Sequence, residues 1–195
     1  DLGIGWLMLH FAHGYLAQSF WSAHSNQRTD AYGGSVANRG RFLLETLRAV
    51  RAVWPEDRPL SVRFGVIEFD GQDEETLSNS LDLVRQMKAE GLDFIDVSIG
   101  FSTPDANIPW GPAFMAPYAH RTRQETGLPV STSWYISEGR QADALIRNDI
   151  LDVATLGRPF LANPHWPHEA ARALHAQNAG AVLPPSSAYW LSRSH

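Results

Sequence analysis

Three features are missing from this 195-residue sequence, and each absence excludes or disfavours a class of site or partner. It has no cysteine, which excludes a disulfide framework and a thiolate metal site within this segment. No apolar stretch approaches the roughly 20 residues of a membrane span, and no basic leader precedes one, so we expect neither anchor nor signal peptide. The net charge is −5 and Lys and Arg are scattered, which disfavours nucleic acid. We therefore expect a small-molecule partner and, by default, a cytoplasmic location.

What is present has the composition of a globular domain, with 44% hydrophobic and 19% charged residues. Short apolar runs bounded by turn residues predict five strands, at 5–10, 60–66, 94–100, 129–134 and 152–157. Helical periodicity follows each of them, at 41–54, 74–91, 112–127, 137–149 and 166–177. Gly91 and Gly127 stand where C-terminal helix caps are expected, each directly before the next strand.

Strands that alternate with helices predict an α/β fold with a parallel sheet, because a parallel neighbour needs a long return connection. A closed barrel of eight strand–helix units typically needs about 250 residues, and this sequence supplies five units. The opening DLG has the character of a helix end, so we expect further units upstream. We also expect the strands to be apolar on both faces. Residues 178–195, rich in proline and serine, are predicted to form a tail over the surface.

The end of the first predicted strand, LHFAHGYL, places His10, His13 and Tyr15 within six residues. Parallel α/β barrels build their active sites at the C-terminal ends of strands. Two imidazoles there can donate hydrogen bonds to one substrate oxygen, and Tyr15 can act as a general acid. The H-x-x-H spacing also occurs in metal sites, but no Asp or Glu follows at ligand spacing, so we expect no metal. On spacing alone, packing is an equal alternative to catalysis.

The next segment, SFWSAHSNQRTDAYGGSVANRGRFLLE, closely resembles the Old Yellow Enzyme family. That family carries an N-x-R-x-D-x-Y-G-G-S run followed by N-R-x-R-F. The matching residues here are Asn26, Arg28, Asp30, Tyr32, Gly33, Gly34, Ser35, Asn38, Arg39, Arg41 and Phe42. Paired glycines allow a tight turn, and Asp30 with the arginines can hold a long loop by charge-assisted bonds. We therefore predict a structural role for this motif.

The phrases HFAHGYL, RTDAYGGS and NIPWGPAFM place the resemblance nearest to the bacterial xenobiotic reductase branch. The resemblance implies a TIM barrel of which residues 1–195 are the C-terminal portion, carrying strands four to eight of a single FMN-binding domain. It also implies an ene-reductase, in which FMN takes hydride from NADPH or NADH and passes it to an enone, maleimide or nitro compound. His10 and His13 then match the pair that binds the substrate's oxygen, and Tyr15 matches the proton donor.

Further residues match the family's flavin contacts. Arg63, in SVRFG, matches a strand arginine that faces the N1 and O2 edge of the flavin, where a fixed positive charge stabilises the reduced ring. The alternative for Arg63 is a salt bridge inside the barrel. Gly157 and Arg158, in TLGRPFL, match the step that holds the FMN phosphate, since glycine lets backbone N–H groups approach closely.

The sequence departs from the family after the fourth predicted strand. Trp134 matches a tryptophan that shapes the substrate pocket, with core packing as the alternative, but Tyr135 follows it where relatives commonly have glycine. A tyrosine adopts positive φ only at a cost. We therefore expect either a displaced loop or a lost phosphate contact, either of which would weaken FMN binding.

The aromatic tail around Trp190 resembles a segment that, in this branch, reaches into a neighbouring subunit's active site. The resemblance thus implies that Trp190 contacts substrate and that the protein is a homodimer or larger assembly. Exposed aromatic residues at a chain end are unusual unless they bury against something.

Two other functions are weighed against the ene-reductase. One is a catalytically incompetent fragment or remnant, which lacks the first three strand–helix units and does not hold FMN alone. The other is a barrel enzyme of different chemistry, such as an aldolase or a phosphate-sugar isomerase. It is disfavoured because no Lys or Glu stands at a strand end in a matching context.

Overall fold

A computed structural model describes residues 3–191, which form one five-stranded parallel sheet. The strands are Leu7–Phe11 (β1), Leu60–Ile67 (β2), Phe94–Ile99 (β3), Val130–Thr132 (β4) and Val153–Ala154 (β5), and they lie in this order. The predicted parallel α/β arrangement is confirmed. The last two strands are shorter than predicted, because only two residue pairs join β4 to β5.

The helices alternate with the strands along the chain. They are Leu16–Trp21 (α1), Val36–Arg51 (α2), Asp73–Ala89 (α3), Ala116–Thr126 (α4), Gly139–Arg147 (α5), Arg158–Ala162 (α6), Trp166–Ala173 (α7) and Pro185–Leu191 (α8), with a 3-10 turn at Ala179–Val182. All five predicted helices are present. Helix α2 begins at Val36 rather than at residue 41, because the Ser35 side chain accepts a hydrogen bond from the Asn38 N–H at 3.3 Å and caps it.

The predicted tail is partly helical. Residues 178–191 contain the 3-10 turn and α8, neither of which was expected from the proline and serine content, and residues 192–195 lie outside the described part of the chain. The opening Pro185 suits a first helical position because its missing N–H needs no partner there. No residue of α8 is buried, so this segment does lie on the surface as predicted.

The hydrophobic core lies between the sheet and helices α2, α3 and α4. Because side chains alternate along a strand, one face of β2 and β3 carries apolar residues that pack against the helices. The fully buried members of this layer include Leu60, Val62, Phe64, Ile95, Val97, Ile99, Leu43, Leu47, Leu81 and Met87. This single layer holds the central strands in place.

The opposite face of the sheet is polar, which corrects the expectation of strands apolar on both faces. The alternating positions of the three central strands are occupied by Ser61, Arg63, Asp96, Ser98 and Ser131. All of them except Arg63 are buried. A buried polar row facing the inside of a barrel marks a site rather than a packing layer.

Two glycines end helices as predicted. Gly127 caps α4 with φ of 63°, and Gly91, just after α3, has φ of 92°. Both conformations are left-handed, where glycine avoids the penalty that a Cβ atom would bring. Among residues 3–191, no helix is long and apolar enough to cross a membrane.

The loop between α1 and α2 is held by the motif that was predicted to be structural. The Asn26 side-chain amide donates to the carbonyls of Phe20 and Tyr32 at 2.6 and 2.7 Å. Arg39 donates to the carbonyls of Trp21 and Gly34 at 3.0 and 2.7 Å. These bonds satisfy carbonyls that the irregular backbone would otherwise leave unpaired. The structural role of the motif is thereby confirmed.

Candidate active site

The structure brings His10, His13 and Tyr15 together at the carboxyl end of β1. The ring centroids of the two histidines are 5.0 Å apart, and those of His10 and Tyr15 are 5.4 Å apart. Tyr15 is 64% exposed and precedes the first turn of α1. Three groups that can donate protons or hydrogen bonds thus share one small surface, as the sequence predicted.

His13 is held in a left-handed backbone conformation. Its φ is 63°, and its N–H donates to the Ile99 carbonyl at the end of β3 at 3.2 Å. Gly14, which follows, has φ of 70°, and a Cβ there would lie 3.0 Å from the Phe101 carbonyl oxygen. A non-glycine residue at positive φ is uncommon and recurs at functional sites. The turn after β1 therefore fits closely against the end of β3.

Ser98, which the sequence analysis did not single out, connects His13 to Trp134. The buried Ser98 Oγ lies 2.8 Å from His13 Nε2 and 3.0 Å from Trp134 Nε1, whose N–H donates to it. The available signal was the alternation in FIDVSIG, which puts a serine on the same face as an aspartate in an otherwise apolar strand.

Both histidines are held in the neutral form. Burial, followed by the positive charge of Arg63 and by His10, lowers the pKa of His13 to about 4. Burial and then Arg63 also lower the pKa of His10 from its ordinary value. A neutral imidazole has one N–H and one acceptor nitrogen. Each ring can therefore donate one hydrogen bond to an oxygen at neutral pH without carrying a charge.

Arg63 lies in the middle of the polar face. Its Nη2 donates to Ser133 Oγ at 2.8 Å, and its Nε lies 3.7 Å from Asp96 Oδ2. The buried Nε and Asp96 Oδ1 both lack a hydrogen-bond partner within residues 3–191. Burial raises the pKa of the Asp96 carboxyl, and Arg63 opposes the rise. The ion pair proposed as an alternative for Arg63 is thus loose, and the guanidinium keeps donors to spare.

A cavity of about 520 Å³ opens beside Arg63 at the ends of β4 and β5. Its lining includes Arg63, Ser133, Trp134, Tyr135, Gly157 and Arg158. The volume lies within the range of cofactor sites. Four residues predicted to bind cofactor or substrate therefore line one cavity, and Trp134 joins it to the histidines through a ring contact of 5.8 Å with His13.

Tyr135 shows an outcome that the sequence analysis did not foresee. It keeps the left-handed backbone that glycine would adopt, with φ of 53°, and its ring lies 5.9 Å from the Arg158 guanidinium carbon. A cation above an aromatic face is attracted by the ring's quadrupole. The loop is therefore kept at some cost in strain, and Tyr135 contacts the arginine expected to hold the phosphate.

An aromatic wall, formed by Phe101, Trp110, Phe114 and Trp134, stands beside His13. The Phe101 ring lies 5.7 Å from His13, and Trp110 lies 6.4 Å from Phe101 and 5.8 Å from Trp134. Phe114 completes the wall at 6.0 Å from Trp134. Three of these four residues come from the loop and turn between β3 and α4. Such a wall offers flat apolar surface to a planar ligand.

Trp190 is not brought to this site in the single chain. It is 70% exposed on α8, and its ring neighbour within the described residues is Tyr189 at 5.2 Å. The cavity lining does not include it. Within residues 3–191, no three His, Asp or Glu side chains converge as metal ligands.

Comparison with known sequences places this geometry among flavin enzymes. The family model described as NADH:flavin oxidoreductase / NADH oxidase matches residues 3–177. An NADPH dehydrogenase of Geobacillus thermodenitrificans is 41% identical over 172 residues, covering 88% of this chain and 49% of that protein. An NADPH dehydrogenase of Halalkalibacterium halodurans is 39% identical over 179 residues, covering 91% and 52%. This chain thus spans about half the length of these curated relatives.

Solved structures agree with the sequence comparison. Morphinone reductase in complex with tetrahydroNAD is 28% identical, with a TM-score of 0.68, covering 95% of this chain and 47% of that one. An old yellow enzyme homologue from Zymomonas mobilis has a TM-score of 0.69 at 23% identity, covering 89% and 47%, and shows the fold alone. The predicted fold class, part of a TIM barrel, is confirmed.

Proposed function

Because the chain belongs to the NADH:flavin oxidoreductase / NADH oxidase family, as its resemblance to Old Yellow Enzyme indicated, we propose that it is the C-terminal portion of an ene-reductase. The reaction transfers hydride from NADPH or NADH through FMN to an activated alkene such as an enone, a maleimide or a nitro compound. The observation that carries the proposal is the convergence of His10, His13 and Tyr15 beside the cavity that Arg63 lines.

FMN is the cofactor of this family, with NAD(P)H as reductant, and the cavity residues fit it. Arg63 lines the cavity and its side chain is partly exposed there, which suits a flavin ring edge that gains negative charge. The space beside the Gly157 backbone is open, since a Cβ there would meet nothing within 4 Å. Arg158 supplies a cation for the phosphate. Bound FMN would supply the hydride-transfer chemistry that no side chain can perform.

The histidine pair would bind the substrate's carbonyl or nitro oxygen. Two neutral N–H donors at one oxygen stabilise the negative charge that grows there as the conjugated alkene is reduced. Burial, and after it the positive charge of Arg63, lowers the pKa of both rings and keeps them neutral, so they do not compete with the cationic groups of the cavity for anions. The aromatic wall would hold the planar conjugated system against His13.

Tyr15 would supply the proton that completes the reduction. Its hydroxyl is solvent-accessible and its ring contacts His10. A general acid must lie within hydrogen-bond reach of the atom that it protonates. A substrate oxygen held by the two histidines would place the alkene near Tyr15, because the His10 ring contacts both the His13 ring and the Tyr15 ring.

The test separates the two half-reactions in the flavin-loaded protein. Tyr15→Phe should slow reoxidation of the reduced flavin by an enone by roughly 10² to 10⁴ fold, and leave flavin reduction by NADPH largely intact. Tyr32→Phe is the matched control, because its hydroxyl bonds to Glu45 in the structural loop, and it should leave both rates unchanged. Stopped-flow absorbance measures both. Slowing of flavin reduction alone would remove Tyr15 from the role of proton donor.

The alternative to the ene-reductase is a remnant that lacks the first three strand–helix units and binds no FMN by itself. The absorbance spectrum of the purified protein decides between the two. Flavin bands that survive dialysis support the enzyme, and a colourless protein that takes up no added FMN supports the remnant.

We also propose that the protein forms a homodimer or larger assembly, with the tail reaching a neighbouring subunit. The exposure of Trp190 on a surface helix supports this, because a large exposed aromatic side chain gains most by burial against a partner. In such an assembly Trp190→Ala should raise KM for the alkene and leave flavin content unchanged. Light scattering would give the assembly size, and a monomer at working concentration would count against the proposal.

A cytoplasmic location is proposed because the reaction draws on NAD(P)H, and cell fractionation would test it.

A further inference from the structure

The hydroxyl of Ser98 lies between His13 and Trp134, and none of the roles proposed above requires a hydroxyl there. It is fully buried on the polar face of β3, 2.8 Å from His13 Nε2 and 3.0 Å from Trp134 Nε1. Within residues 3–191, these two ring nitrogens are its hydrogen-bond partners. The two partners come from different parts of the sheet, because His13 follows β1 and Trp134 follows β4.

The protons at this junction can be assigned from the chemistry of the three groups. A tryptophan ring nitrogen only donates, so Trp134 occupies one lone pair of Ser98 Oγ. The serine O–H then needs an acceptor, because leaving a buried hydroxyl proton unpaired costs free energy. A neutral His13 offers an unprotonated nitrogen as that acceptor. The arrangement that satisfies every group has Trp134 donating to Ser98 and Ser98 donating to His13 Nε2.

This assignment determines which nitrogen of His13 carries the proton. When Nε2 accepts, the single proton of the neutral ring must sit on Nδ1. Nδ1 makes no hydrogen bond within the described residues, so its N–H is available to a ligand. The reverse tautomer would have His13 donate to Ser98, leave the serine proton without an acceptor, and offer a substrate oxygen only an unprotonated nitrogen.

We propose that Ser98 is a positioning residue that, together with Trp134, holds His13 in the Nδ1–H tautomer and thereby makes it a donor to the substrate oxygen. The inference rests on the proposed function only for the identity of the ligand that His13 binds. The tautomer itself is a property of the junction between β1, β3 and β4. Trp134 therefore acts on His13 through Ser98 as well as by ring contact.

The experiment reads the tautomer directly in the flavin-loaded protein. Long-range proton–nitrogen correlation spectra of histidine-labelled protein distinguish a protonated from an unprotonated ring nitrogen, and loss of a signal in His13→Gln assigns it. We expect His13 to show an unprotonated Nε2 and a protonated Nδ1. Ser98→Ala should shift the ring toward Nε2–H, and Ser98→Thr, which keeps the hydroxyl, should restore the wild-type pattern.

Ser80→Ala is the matched control for the loss of a buried serine. Ser80 is buried on α3 and its hydroxyl has no partner among the described residues, so the His13 signals should not change. Binding of a phenol, whose oxygen imitates that of the substrate, should weaken about tenfold in Ser98→Ala, the effect of losing one neutral hydrogen bond. It should be unaffected in Ser80→Ala.

The outcomes separate the inference from the proposed function. Wild-type protein with a protonated His13 Nε2, or an unchanged tautomer in Ser98→Ala, would overturn the role of Ser98. A tautomer that responds to Ser98 in a protein that binds no phenol and reduces no enone would support the inference while the proposed function failed. Weaker phenol binding in Ser98→Ala without any change of tautomer would show that the serine acts by packing, and would also overturn it.

Discussion

The central strands and the last third of the chain differ sharply in burial. Every residue of β3 is buried, and in β2 only Arg63 is not. In β5, α6 and α7 no residue is buried, and β1 buries Phe11 alone. In this sheet the strands with a neighbour on each side are buried, and the two edge strands are mostly not. The difference teaches that the middle of the sheet is well covered and that its edges are open.

The candidate site draws on both regions. Arg63 and Ser98 come from the buried central strands β2 and β3. His10 comes from the edge strand β1, and Arg158 follows the edge strand β5. The middle can hold charged and polar groups in fixed positions because helices pack behind it. The edges supply groups that meet a ligand, and their own support must come from neighbouring strands.

The largest expected effect concerns the open edges themselves. We expect the isolated residues 1–195 to aggregate, to show the spectrum of a molten globule or to pair as a stable dimer, because β1 and β5 present unpaired strand edges. Supplying the three remaining units of the barrel should give a monodisperse protein. Light scattering and near-ultraviolet circular dichroism measure the outcome. A compact monomer of the isolated chain with cooperative unfolding would contradict the contrast between middle and edges.

A pair of leucine substitutions compares the two regions within the intact protein. Leu47→Ala, on α2 against the central strands and with no exposed surface, should lower the free energy of unfolding by about 2–5 kcal/mol because it leaves a cavity. Leu161→Ala, on α6 and 85% exposed, should change it by less than about 0.5 kcal/mol. Urea unfolding gives both values. Equal losses would mean that α6 is packed as tightly as the centre.

A substitution at Arg158 tests whether the exposed edge at β5 binds the FMN phosphate. Arg158 is exposed, and Arg158→Ala should weaken FMN binding by roughly 1.5–3 kcal/mol if the bound phosphate buries it, the range for a hydrogen bond to a charged group. Arg147→Ala is the control, since that exposed arginine on α5 pairs with Asp143 away from the cavity lining, and it should bind FMN normally. Flavin fluorescence titration measures both. Unchanged flavin retention in Arg158→Ala would count against the phosphate site.

The smallest expected effect is a pH dependence of the free energy of unfolding, caused by His13, which lies between the edge strand β1 and the central strand β3. Unfolded His13 takes up a proton near its ordinary pKa of 6.5, whereas the folded chain resists it until about pH 4 because of burial, Arg63 and His10. The unfolded state therefore binds more protons between these values, so the free energy of unfolding should fall as the pH drops from 6.5 toward 4. His13→Gln should remove this part of the slope, as measured by denaturant midpoints at pH 7 and pH 5. An identical slope in the variant would show that His13 is not buried as described.

Much of the site was predictable because its members are signalled locally. His10 lies at the end of β1 with His13 and Tyr15 just after it, and Gly157 and Arg158 follow β5. The carboxyl ends of strands in a parallel sheet meet at one edge. Ser98 and Asp96 escaped the prediction, because the alternation in FIDVSIG puts both on one face but does not say which side chains of other strands they meet there. The positive φ of Tyr135 escaped it too, because its conformation is imposed by the loop rather than preferred by tyrosine.

Local pattern in the sequence determined the strands, the helices, their parallel alternation and the structural loop, because each depends on side-chain period, turn residues and short-range hydrogen bonds. Only the tertiary structure decided that Ser98 lies between His13 and Trp134, and that Arg63 lines the same cavity as Trp134 and Arg158. The two hydrogen bonds of Ser98 join residues that are 85 and 36 positions apart in the chain. Distances of this kind are set by the packing of strands against each other, and no local pattern contains them.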